Sequence, residues 1–152
     1  MHFLYEWTNS LLSSPFSGVN ESTWEHMKLF FFPAFLFAIF QSFFFKEIKA
    51  FWLIKLKGTL LGLILIPIIF YTYNGVIGKS PDWFNITIFF ISAGLCFLYE
   101  GLLFKANKAF KTNFKIAPVL IFCLIALSFI IFTFYPPHLN IFLDPITKTY
   151  GI

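Results

Sequence analysis

Apolar residues run along this chain in long unbroken blocks, separated by short polar links, with neither the strict alternation of a surface strand nor the one-sided stripe of a surface helix. Four blocks stand out, at about residues 27–45, 58–77, 84–104 and 116–135. Each is close to the roughly 20 residues that a helix rising 1.5 Å per residue needs to cross a hydrocarbon layer about 30 Å thick. Membrane-spanning β-strands would be about 10 residues long and would alternate apolar with polar positions. Continuous apolar runs leave the helix as the way to satisfy the backbone inside lipid.

The expected fold is therefore all-α, a transmembrane helical bundle with four full spans plus a short N-terminal partial span. That partial element is residues 1–12, at most about 18 Å of helix. It carries no basic start or cleavage site of a secretory signal. Residues 1–152 read as one integral membrane domain, with residues 136–152 as a tail. Pro33 and Pro67 fall inside spans and predict kinks, whereas Pro118 falls where a first-turn proline is tolerated and Pro136 and Pro137 end the last helix.

Composition agrees with this pattern. Of the 152 residues, 59% are hydrophobic and 12% charged, with a mean hydropathy of +0.80, where soluble domains are about half apolar and a quarter charged. Cys96 and Cys123 both lie in apolar runs with no paired spacing, so neither a disulfide nor a zinc framework of cysteines is expected. The net charge of +4 does not come from an interleaved basic and aromatic patch, so no nucleic acid is expected as a partner; the lipid bilayer is, and protein partners stay open. No phosphate loop, nucleophile elbow, dinucleotide fingerprint or haem-attachment motif is present.

Charge instead reports orientation. Eight of the 11 lysines lie in the links at residues 46–57 and 105–115, which places both links in the cytoplasm of a cell-membrane protein and the C-terminus outside. The outer side then holds Glu6, Glu21, Glu25, Asp82 and Asp144, with all three histidines. Glu100, at the inner end of its span, reads as an interface-level carboxylate.

Three local patterns go beyond composition: His2-Phe3-Leu4-Tyr5-Glu6-Trp7, the string from Val19 through Asn20-Glu21-Ser22 and Trp24-Glu25-His26 to Lys28, and the tail from Phe142-Leu143-Asp144-Pro145 to Tyr150-Gly151-Ile152. Together they resemble an uncharacterised domain-of-unknown-function family of small bacterial polytopic membrane proteins. The resemblance implies a five-span protein whose members carry a further apolar stretch ahead of the first pattern. It implies no activity.

Ser22 followed by Glu25 is a capping-box pattern, expected to satisfy two amides at a helix start. His2 and Glu6, spaced i and i+4, would share a helix face, and topology places them on the same side as Glu25 and His26. Two imidazoles with one or two carboxylates match a divalent-metal site such as zinc, at which bound water becomes a nucleophile for hydrolysis. Asn20, Glu21, Lys28, His138 and Asp144 complete the candidate polar cluster, the last two brought in by a tail folded back over the outer mouth. Asp144 ahead of Pro145 also reads as a turn starter. Two other functions stay open. One is a small transporter or channel-like protein with an acidic vestibule, which needs a polar path towards Glu100 and is opposed by a dry, Phe-packed centre. The other is a structural or partner-binding membrane protein whose cluster only caps helices and pins the tail.

Overall fold

The computed structural model describes residues 14–106 and 116–151. Its four helices are α1 (Thr23–Ser42), α2 (Phe51–Val76), α3 (Asp82–Lys105) and α4 (Ile116–Phe134), and among the described residues there is no strand, only one isolated bridge between Leu143 and Tyr150. Three of the helices are long and apolar enough to cross a membrane: Phe51–Val76, Trp83–Lys105 and Ile116–Phe134. The four apolar blocks predict four full spans. The difference lies in α1, which begins at Thr23 rather than Met27 and so spends its first turns on Glu25 and Lys28. Residues 1–12, the expected partial helix, lie outside the described residues, as do 107–115 of the second basic link.

The other boundaries shift for readable reasons. α2 begins at Phe51, which puts Lys55 and Lys57 on the helix instead of in a link. Phe51 is buried and stacks on Phe45, 6.2 Å between centroids, so aromatic packing pulls the helix start back into the lysine-rich segment. Helices α1 and α2 continue through Pro33 and Pro67, and Pro118 falls in the first turn of α4.

α2 packs most extensively on α3, then on α1, while α4 closes the bundle against α1 and α2. The centre is phenylalanine. Phe31 and Phe35 of α1 meet Phe122 and Phe129 of α4, with Phe35 and Phe122 stacked at 5.0 Å and 8° between planes. Phe122 and Phe129 are two helical turns apart, so one face of α4 supplies both. Outward faces keep large apolar residues exposed on every helix, among them Phe40, Ile68, Phe90, Leu98 and Leu124. In water such a belt would aggregate, and in lipid it needs no cover.

Candidate functional site

Two polar constellations occupy opposite ends of the bundle. The first surrounds the start of α1. Ser22 is its N-cap, the hydroxyl accepting from the Glu25 amide at 3.3 Å. Only half of the expected capping box forms. The Ser22 amide goes to Asn20 Oδ1 at 3.0 Å, which releases the Glu25 carboxylate for Lys28, 2.5 Å away, and for the Val19 amide at 3.1 Å. Lys28 is wholly buried and also donates to the Ser14 carbonyl at 2.8 Å and the Thr133 hydroxyl at 3.0 Å. One ammonium thus ties α1, the segment before it and the end of α4 together. Three donors meeting three acceptors is what lets a buried charge persist.

The tail docks on this same end. Trp24 donates its amide to the Ile141 carbonyl at 3.0 Å and packs its ring on Phe142 at 4.7 Å, and Asn20 Nδ2 donates to the Gly151 carbonyl at 3.0 Å. Gly151 has φ +65, and a Cβ there would lie 2.9 Å from Pro136 Cγ, so close approach and a left-handed backbone both require glycine. Asp144 turns the tail by accepting from the Ile146 amide at 2.7 Å and the Thr147 amide at 3.3 Å. Burial raises its carboxyl. The amides of Ile146, Thr147 and Glu21 and the Thr147 hydroxyl outweigh that, and hold it below the usual carboxylate range.

Of the residues expected to converge, Glu25 and His26 part company. Glu25 faces Lys28, whereas His26 Nδ1 lies 2.9 Å from the Ser22 carbonyl and Nε2 lies 3.6 Å from Glu21 Oε2. A carbonyl oxygen only accepts, so Nδ1 is the donor to Ser22, and Nε2 is the atom turned towards Glu21. His138 is exposed and packs on Tyr150 at 4.7 Å, within the tail itself. His2 and Glu6 lie outside the described residues. Among the described residues no three His, Cys, Asp or Glu side chains gather as a metal-binding group.

Beside His26 opens a cavity of about 100 Å³. Ile66, Phe70, Ile88 and Phe89 make its apolar wall, Glu21, His26, Asn74, Ser80, Asn85 and Lys79 its polar lining, and Pro145 with Ile146 of the tail its edge. A network holds the polar side in place. Asn74 Oδ1 accepts from the Ser80 amide at 2.8 Å, and the Ser80 hydroxyl donates to Asn85 Oδ1 at 2.8 Å, which fastens the end of α2 to the start of α3 across Gly78, φ +105. Sequence reasoning overlooked this group. The signal was present: three hydrogen-bonding residues bracket a glycine turn between two apolar runs.

The second constellation lies at the opposite end. Lys55 of α2 and Glu100 of α3 are 2% and 4% exposed and meet at 2.5 Å. Glu100 is therefore a paired interior carboxylate rather than a group reaching for the interface. Cys96 Sγ lies 3.7 Å from its other oxygen, and Lys55 Nζ sits 5.7 Å from the ring centres of both Phe37 and Phe97. Gly58 makes the room, since a Cβ there would come within 2.3 Å of Glu100 Cγ.

The sequence profile of a family of unknown function (DUF6512) matches residues 1–152, and the chain belongs to that family. No curated protein and no solved structure matches it.

Proposed function

We propose that the chain is a protein of the cell membrane in which α1 is the fourth full span beside the N-terminal partial one, and whose outer mouth binds the polar end of a single-chain amphiphile. The cavity between α1, α2, α3 and the tail carries this reading. It joins an apolar wall to a rim with one carboxylate, Glu21, one ammonium, Lys79, and neutral amides, the lining that suits a zwitterionic head on an apolar stem. Its 100 Å³ is about three water volumes, so it takes a head fragment or a chain end and not a two-chain lipid. The Glu25–Lys28 group beside it is scaffold, its polar atoms being engaged in holding the tail and α4.

The test is titration of the detergent-purified chain with a lysophosphatidylcholine, read by native mass spectrometry, beside Ile146→Trp. Ile146 is exposed at the cavity edge, so a larger ring there fills the mouth without disturbing the core. One bound probe per chain, weakened about tenfold in the variant, supports the reading, and tenfold corresponds to about 1.4 kcal/mol. Equal binding by both proteins refutes it.

A metal-dependent, hydrolytic reading has one observation in its favour. The Nδ1–H of His26 is fixed by a backbone carbonyl while Nε2 faces Glu21, the way a metal-ligating histidine is usually held. Glu21 then replaces Glu25 as the ligand from this segment, with His2 and Glu6 as the further donors. Elemental analysis of the wild type and His26→Ala decides it, stoichiometric metal lost in the variant being the supporting result. The transporter reading fares worse. Phe30, Phe31, Leu63, Ile66 and Phe122 fill the centre between the mouth and Glu100, the dry core that argues against a continuous path.

A further inference from the structure

The Lys55–Glu100 pair lacks the company a buried ion pair needs. Glu100 has two oxygens with about four acceptor directions, and Lys55 fills one while the weak Cys96 thiol lies near another. Lys55 has three N–H groups, and Glu100 takes one while two aromatic rings flank the rest. Two hydroxyls on the same helices are similarly placed. Thr59, one turn from Lys55 on α2, and Ser92, one turn from Cys96 on α3, are both 0% exposed, and neither hydroxyl has a hydrogen-bond partner among the described residues. Spacings of four residues put Lys55 with Thr59 on one face of α2, and Ser92, Cys96 and Glu100 on one face of α3. Orphaned hydroxyls in an interior cost free energy, and the usual remedy is bound water, which needs two to four polar partners.

We infer that the α2–α3 interface around Lys55 and Glu100 is a hydrated proton-binding site, water being held by Thr59, Ser92 and the pair, with Glu100 as the group that takes up the proton. The step is a simple one. A proton from the aqueous phase forms an O–H bond on the Glu100 carboxylate, no bond breaks in the protein, nothing is oxidised, and Lys55 remains an ammonium. Access is from the lysine-bearing end: Lys55 is four residues into α2, about 6 Å of helix, and Glu100 five residues from the end of α3. Leu63 and Ile66 close the route towards the mouth, so the site is a dead end that senses one side of the membrane.

Among the described residues no other ionisable group is buried beside the pair, Lys46, Glu47 and Lys49 of the link before α2 being exposed. α1 presents Phe37 and carries no Asp, Glu, Lys or His beyond Lys28, α4 contributes only the exposed Cys123, and α2's Lys57 and α3's Tyr99 and Lys105 are on exposed surface. Ionisable groups held between membrane helices are costly and, as a class, mark proton and ion sites.

The test is pH-difference infrared spectroscopy on the full chain in lipid nanodiscs. The expected result is a protonated-carboxyl C=O band that grows on acidification while the helices stay folded, disappears in Glu100→Gln, and has its midpoint moved by about one pH unit in Thr59→Val/Ser92→Ala. If Glu100→Gln alone does not fold, Lys55→Met/Glu100→Gln serves, because a neutral pair of similar volume is tolerated where half a pair is not. A static clamp gives a different record. A band that appears only with unfolding, survives removal of Glu100, or keeps its midpoint when both hydroxyls are gone overturns the inference.

Discussion

At the scale of single residues, two glycines with the same helical context are expected to respond in opposite directions to one added methyl group. Gly58 faces Glu100, and a Cβ there lies 2.3 Å from Cγ and 2.6 Å from Oε1, which forces apart the tightest polar contact between α2 and α3. Gly101 of α3 has nothing within 4 Å. Alanine is a better helix former than glycine by up to about 1 kcal/mol, so Gly101→Ala should raise the thermal midpoint in detergent. At Gly58 the same gain is set against overpacking of about 1–3 kcal/mol, and the midpoint should fall. Asp144 supplies a second residue-scale expectation. Its carboxyl is held below the usual range in the folded tail, so its stabilisation is complete above the unfolded value, near 4, and is lost as pH falls through the lower folded value. Protection of the Ile146 and Thr147 amides, read as exchange relative to the intrinsic rate at each pH, should therefore fall on acidification below about pH 4. Asp144→Asn should exchange faster already at neutral pH, and its protection should lack that acid step.

Helices dock here through buried charges at the two ends and through aromatic rings between. Lys28 joins three segments, so Lys28→Met strands the Glu25 carboxylate and leaves the Thr133 hydroxyl with only its own-helix carbonyl. Losing one half of a buried pair costs about 3–5 kcal/mol, whereas neutralising both halves is often close to neutral. Thermal unfolding should thus show a large loss for Lys28→Met or Glu25→Gln alone and a substantial recovery in the double variant; additive losses would show that the two side chains do not act as a pair. The helices themselves were legible as apolar runs because lipid imposes a length and forbids bare backbone. Partnerships between them were not. Nothing local marks Thr133 as the receiver for Lys28, or Gly58 as the space for Glu100, since both depend on which faces meet. Ser22 was readable as a cap, yet Glu25 departed from the capping box because a buried ammonium three residues on is a stronger partner than an amide that Asn20 already serves.

For the molecule as a whole, the lysines still report orientation, but by a shorter tally than a plain count of links implies. Lys55 is neutralised inside the bundle by Glu100 and Lys28 by Glu25, so neither bears on the positive-inside bias. Among the described residues, what remains on the surface is Lys46, Lys49, Lys57 and Lys105 at the end where α1 meets α2, against Lys79 and Lys148 at the end that carries the mouth and tail. Acidic groups weigh little in this rule, so the acid-rich mouth does not by itself predict direction, and the four-to-two bias of surface lysines among the described residues predicts the lysine-rich end in the cytoplasm. Cysteine accessibility on intact cells tests it. In a chain with Cys96 and Cys123 replaced by alanine, Leu139→Cys should react with an impermeant maleimide from outside, and Lys49→Cys only after lysis, both positions being exposed in the fold. Labelling at Lys49→Cys from outside would invert the molecule. The mouth would then open to the cytoplasm and the proton site at Glu100 would face the exterior.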